Sequence, residues 1–312
     1  MRWTVRASEA GLRLDKFLAH PDRLASRGKA AAALERGKVF VNDAEVLLAA
    51  ASTRLATGDV VQVWMDRPGS SKPRPRERHV GDLHLLYEDD QIVVVNKPPG
   101  LLTVPLPDER EINSVQELLG EYLRSRGRKR RVFVVHRIDR DTSGLVMFAK
   151  DPLSQKRLKD QFRRREPERV YWAVVYGRPD PASGTWRDHL AWDKDALIQK
   201  QTHPKDPRAA EAISDYRVLE AFGATSLVEV RLRTGKRNQI RLQARLRGHT
   251  LVGEKRYVFG PETIRPVAFP RQALHAQRLA LRHPADDRPL AFEAPLPADF
   301  AGLLRKLRQA RS

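Results

Sequence analysis

The nonapeptide HRIDRDTSG at residues 136–144 sets two carboxylates, Asp139 and Asp141, among two arginines, Arg137 and Arg140, with His136 before them and the hydroxyls of Thr142 and Ser143 after. It follows directly on RVFVV (131–135), an apolar run of strand character, so these side chains stand at the end of a buried strand. Composition alone reads the aspartates as loop solvation or a cap, with the hydroxyls serving a turn. The functional reading makes one carboxylate a nucleophile or an acid/base at a strand edge, with His136, Arg137 and Arg140 as counter-charge. A glycosidase needs two carboxyl groups at a set separation, which two neighbouring loop aspartates do not establish. A metal on His136, Asp139 and Asp141 lacks a second ligand cluster of recognisable spacing. There is no GxxxxGK[ST] or GxGxxG loop for phosphates and no GxSxG elbow. The chain has no cysteine, which excludes thiolate nucleophiles, disulfides and zinc–thiolate sites and fits a cytosolic protein. The expectation is a reaction with no cofactor and no metal.

The elements that must position this loop are many short strands with interspersed helices. Strand-like runs fall at 83–87, 92–96, 132–135, 145–149, 170–176, 226–232 and 291–293, and helical stretches at 114–127, 152–164 and 238–247. That alternation predicts an α+β catalytic domain over 83–312, built on a largely antiparallel mixed sheet with flanking helices. Before it, residues 1–66 read as a separate small α/β module. It has a short amphipathic helix at 12–19, a second helix at 27–36 capped by Ser26 and ended by Gly37, and strands at 39–41 and 60–64. The stretch 67–82, rich in Pro, Gly, Ser and charge, reads as a flexible basic linker.

Charge indicates the partner. Fifty-eight Lys and Arg against 39 Asp and Glu leave +19, which favours a polyanion, since each neutralised phosphate releases condensed counterions. No apolar run reaches the length of a membrane span, and the first eleven residues lack an apolar export core, so a cytoplasmic protein is expected. No heptad pattern or long apolar patch argues for an oligomer, so the expected state is a monomer.

Two resemblances sharpen this. RLDKFLA, the helix opening at Ser26, ERGKVFVN and TGDVVQV resemble, over about residues 11–65, the small RNA-binding module first described in ribosomal protein four of the small subunit. In that family the second helix and following loop present basic side chains to structured RNA, positions held here by Arg27, Lys29, Arg36 and Lys38. Further on, LYEDDQIVVVNKPPGLLTVP, HRIDRDTSG, RVYWAVVYG, TGKRNQIR, LHAQRLALRHP and APLP occur in order. The set is similar to the pseudouridine synthases of the large-subunit ribosomal RNA and tRNA type.

That resemblance implies isomerisation of a uridine in RNA, ribosomal or transfer, by breaking the bond from uracil nitrogen 1 to ribose and rejoining through carbon 5, with no cofactor. The aspartate of HRxDxxTSG, which maps to Asp139, is implied to attack the sugar or remove its 2′ proton. Arg241, at the end of QIR, is implied to pair with it in a two-pronged hold, and Tyr171 to pack on the uracil. Arg137, Arg140 and Thr142 are expected to position RNA and shape the loop. The basic runs 124–131 and 156–165 are expected to meet phosphates. The match departs at Lys236, Asn238 and Gln243, where the family has arginine, histidine and histidine, and at Thr250 and Glu254, where it has proline and aspartate. Those departures keep a rival open, a non-catalytic RNA-binding or ribosome-assembly factor on the same fold. A glycosidase-like enzyme on free nucleosides fits the charge poorly.

Overall fold

A computed structural model describes residues 1–46, 50–65, 78–80, 83–106, 114–125, 131–258 and 267–310. Two compact units divide the chain, Met1–Glu77 and Arg78–Ser312. In the first, β1 (Arg2–Thr4), α1 (Leu14–Leu18), α2 (Arg27–Glu35), β2 (Val39–Val41), β3 (Ala44–Glu45) and β4 (Val60–Val63) form an antiparallel sheet of order β1-β4-β2-β3 with two helices. Leu14, Phe17 and Leu18 from α1 meet Ala30, Ala33 and Leu34 from α2 over Val39, Val61 and Val63. Ser26 caps α2 as the sequence predicts, its Oγ accepting the Lys29 N–H at 3.1 Å. Ala30, Ala33 and Leu34 of α2 face the core, and Arg27 and Lys29 stand out in solvent.

The second unit runs β5 (Arg78–Val80), β6 (Leu83–Glu88), β7 (Ile92–Lys97), α3 (Val115–Ser125), β8 (Phe133–Val134), β9 (Ser143–Ala149), α4 (Pro152–Arg163), β10 (Glu168–Tyr176), β11 (Ser183–Asp193), β12 (Ile198–Gln201), β13 (Ala210–Ala221), β14 (Thr225–Leu232), α5 (Gln239–Leu246), β15 (Leu274–Arg282), β16 (Pro289–Glu293) and α6 (Ala298–Gln309). Its strands join one sheet in the order β12-β11-β13-β14-β10-β15-β9-β7-β6-β5, with β16 on β15 and β8 on β9. The expected α+β class and largely antiparallel sheet are what is seen. Arg78–Val80 lies within the stretch read as linker, yet it pairs with Leu83–Leu85 as an edge strand.

Among the described strands only β15 and β9 pair in parallel, through His275–Ser143 and Ala276–Gly144. That short junction sits mid-sheet, next to the HRIDRDTSG loop. Gly144 has φ +109°, and a Cβ there would lie 2.3 Å from the Ala276 carbonyl oxygen, so the loop's last position requires glycine. Every residue of β9 is buried, which explains its unbroken apolar reading. No helix among the described residues is long and apolar enough to cross a membrane.

Candidate active site

The loop between β8 and β9 is held from below by backbone-directed bonds. The Lys97 ammonium, fully buried at the end of β7, donates to the carbonyls of Pro98, Leu101 and Arg140 at 2.8, 2.8 and 2.7 Å. Burial pulls Lys97 down to about 7, with Asp141 and Asp139 opposing and Arg271 adding to the fall. Thr103 Oγ1 donates to the Ile138 carbonyl at 2.9 Å, and Arg271 Nη1 to the Asp141 carbonyl at 3.0 Å while its other nitrogens grip Asp299. These contacts fix the main chain on both sides of Asp139 and leave its carboxylate to other partners.

Asp139 Oδ2 accepts from Arg241 Nη1 at 3.0 Å and from Asn238 Nδ2 at 2.7 Å. Oδ1 takes no hydrogen bond from the described residues, and the side chain is 28% exposed. Arg241 lies in the first turn of α5. Its two-pronged hold, expected on Asp139, is instead on Glu254, with Nε and Nη2 at 2.7 and 2.6 Å from the two carboxylate oxygens. Burial accounts for the difference: Glu254 is completely enclosed, so its charge needs the fuller partner, whereas Asp139 keeps an open side. Burial alone would raise the Glu254 carboxyl, but Arg241 and the N–H groups of Arg256 and Tyr257 hold it below the usual range. For Arg241, burial opposes the charge and is outweighed by Glu254 and Asp139, which push its pKa up.

Asp139 borders two cavities. One, of about 520 Å³, is lined by Tyr171, Phe162, Arg169, Leu232 and Gly235 as well as Asp139. The other, of about 640 Å³, brings in Arg140, Arg237, Lys255, Arg256 and Arg271. Tyr171 is 8% exposed, where burial raises its hydroxyl pKa, Arg169 opposes and Asp139 adds to the rise. It sits beside a register shift in β10 between Val170 and Tyr171 against β15. Arg137 is exposed and lines both cavities; Arg140 lines the second, its Nε donating to the Gly100 carbonyl at 3.2 Å. Thr142 is buried, with its N–H on the Asp139 carbonyl and its hydroxyl accepting from Gln272, a loop-shaping place.

Asp139, Tyr171, Arg241, Arg137, Arg140 and Thr142 therefore converge. Arg27, Lys29, Arg36 and Lys38 belong to the other unit. Of the basic runs, 126–130 lie outside the described residues, while Arg163 and Arg165 reach the first cavity. Sequence reasoning missed Lys97, Arg169, Tyr257 and Arg271, although NKPPG, RVYWAVVYG and the GEKRY segment carry three of them within the quoted motifs or departures. Arg169 has no carboxylate within ion-pair distance among the described residues, and its Nε is buried without a partner.

The family model for RNA pseudouridylate synthase matches residues 91–246, which include the loop, Tyr171 and Arg241. The chain belongs to this family. An uncharacterised RNA pseudouridine synthase of Synechocystis is 33% identical over 98% of this chain and 92% of its own length. One from Bacillus subtilis is 34% identical over 98% of this chain and 97% of its own. Ribosomal large subunit pseudouridine synthase D of Pseudomonas aeruginosa is 36% identical over 74% of this chain and 73% of its own. Human RNA pseudouridylate synthase domain containing 4 shares the fold, with a TM-score of 0.59 at 23% identity over 72% of this chain and 92% of that one. RNA pseudouridine synthases are isomerases, and the enzyme class of this chain follows from membership.

Proposed function

We propose that this RNA pseudouridine synthase acts on a uridine of structured RNA, ribosomal rather than transfer, with Asp139 as its reacting carboxylate. The carrying observation is a carboxylate held through one oxygen, Oδ2, with the other unbonded beside a cavity of about 520 Å³ lined by Tyr171. Whether Asp139 attacks the anomeric carbon or removes the 2′ proton, the step needs an ionised carboxylate with a free lone pair aimed at ribose. Arg241 and Asn238 both donate to Oδ2 and leave Oδ1 unbonded on the open side. Tyr171 supplies the apolar wall against which a detached uracil can turn. A stacked uridine hides these atoms, so the base must leave its helix to enter.

The cations around the second cavity support an RNA backbone there. Burial lowers the Arg237 pKa, and neighbouring Arg137 lowers it further, with Arg256 adding to the crowding. Phosphates would relieve that repulsion, and Arg169 offers in the first cavity another guanidinium that has no carboxylate partner among the described residues. The N-terminal unit resembles the ribosomal protein four module, with Arg27 and Lys29 exposed on α2 for a second RNA contact, and Arg36 and Lys38 close behind. The relative from Pseudomonas aeruginosa, titled for the ribosomal large subunit, favours ribosomal RNA. A binding-only role is disfavoured because a carboxylate facing the cavity repels phosphate and adds nothing to affinity.

The test is pseudouridine mapping of total RNA from cells lacking this chain, complemented with wild type or Asp139→Asn. The expected result is one or a few sites lost and restored by wild type alone. Restoration by both forms would remove Asp139 from the reaction, and loss of no site would favour the binding role.

A further inference from the structure

We propose that Asn238 is a positioning residue for Asp139: its amide, locked in one orientation by Tyr257, holds Oδ2 so that Oδ1 is the oxygen presented to the substrate. This rests on the reading of Asp139 as the reacting carboxylate.

A primary amide has two ends of nearly equal shape and opposite polarity, so its orientation decides whether it attracts or repels a carboxylate. Here a hydrogen-bond chain decides it. Tyr257 is completely buried, and its hydroxyl accepts the Gln199 N–H at 3.1 Å. A phenol has one proton, which goes to Asn238 Oδ1 at 3.2 Å. Nδ2 then faces Asp139 Oδ2 at 2.7 Å. Arg241 alone does not fix the carboxylate plane, because only Nη1 reaches Asp139 while Nε and Nη2 are engaged by Glu254. Two donors converging on one oxygen, the N-cap amide and the first-turn guanidinium of α5, do fix it.

The backbone points the same way. Asn238 sits at the N-cap of α5 with φ +52° and ψ 23°, a left-handed conformation that asparagine tolerates better than most residues. An asparagine at an N-cap ordinarily accepts a hydrogen bond from the first helical turn, yet this one makes no cap bond. Its side chain is spent on Asp139 and Tyr257 instead, which the helix itself does not need.

The experiment uses the full chain and a uridine-tritiated RNA on which wild type releases label, with kcat, KM and melting temperature measured together. Asn238→Gly removes the amide while suiting the left-handed backbone. It should lower kcat by about 10- to 100-fold, the range for one hydrogen bond to a charged group, with KM unchanged. Tyr257→Phe keeps the amide but frees it to rotate, and should lower kcat by about 3- to 10-fold. Combined with Asn238→Gly, the Tyr257→Phe loss should vanish, because there is no amide left to orient. Wild-type kcat in Asn238→Gly, a loss confined to KM, or a Tyr257→Phe effect of equal size in the glycine background would each overturn the proposal. Label release by Asp139→Asn at the wild-type rate would instead count against the reading of Asp139, before any Asn238 variant is compared.

Discussion

Positive charge is organised in opposite ways on α2 and around the HRIDRDTSG loop. In the N-terminal unit Arg27 and Lys29 stand exposed on α2 and form no ion pair within 4.0 Å among the described residues. In the C-terminal unit three arginines are wired: the buried Arg241 to Glu254 and Asp139, the buried Arg271 to Asp299, and the half-buried Arg247 to Asp188. Free charge acts on RNA through counterion release, a graded effect that tolerates displacement. Wired charge sets geometry, and losing one member leaves its partner buried and unpaired. The contrast predicts steep losses from changes in the C-terminal unit and shallow ones from changes in the N-terminal unit.

The steepest test is Asp139→Asn, nearly isosteric and uncharged. Isomerisation of a purified RNA should fall by about 10⁴-fold or more, as for loss of a group that takes part in bond-making, while RNA affinity is unchanged. Affinity falling in step with rate would make Asp139 a structural member of the Arg241 network. Next comes Glu254→Gln, which leaves the Arg241 guanidinium without its buried carboxylate. Breaking such a pair costs about 3–5 kcal/mol, so urea denaturation should show a loss of that order with the rate falling alongside. A variant as stable as wild type would mean that Asp139 alone satisfies Arg241, and the distinction between the two carboxylates would dissolve.

Those two residues also mark what could be read from the sequence. HRIDRDTSG announced its aspartate, and its glycine follows from the closeness of β15. The Ser26 cap of α2 was legible because it is local. Glu254 showed only as a departure from a motif, since nothing in spacing says that a side chain 13 positions after Arg241 closes on its guanidinium. The strands β11, β12 and β13 were not read at all, and their inward face shows why. Asp188, Gln199 and Ser214 are buried there, and Gln243 from α5 binds both Asp188 at 2.8 Å and Ser214 at 2.6 Å. A polar network inside the sheet erases the apolar alternation by which strands are recognised. The same network accounts for Gln243, a departure from the family's histidine that lies in the core and not at the cavity.

A milder effect is expected from acid. Burial lowers His136 to about 3, with Arg169 adding to the fall, and lowers His275 to about 4, with the Ala294 carbonyl opposing. In the unfolded chain both return to about 6.5. Between that value and the folded ones the unfolded state binds more protons, so stability falls as pH drops below about 6.5. At pH 5 each histidine contributes up to about 2 kcal/mol of lost stability. Denaturation at pH 7 and pH 5 checks this, and replacing His275 by Gln should flatten the difference.

The smallest effects belong to α2. Arg27→Ala and Lys29→Ala remove no packed atom and no ion pair, so folding and kcat should not change. If each side chain meets a phosphate, each substitution lowers the slope of log affinity against log salt by about 0.7–0.9, with little dependence on RNA sequence. The slope separates this role from a solvated helix face, because a bystander charge leaves it unchanged however the affinity drifts. Measured in the Asp139→Asn background, where no turnover intervenes, the two slopes would add if the contacts are independent. A single variant that instead abolished binding would show Arg27 or Lys29 to be wired after all, fixing geometry in the N-terminal unit as Arg241 does in the other.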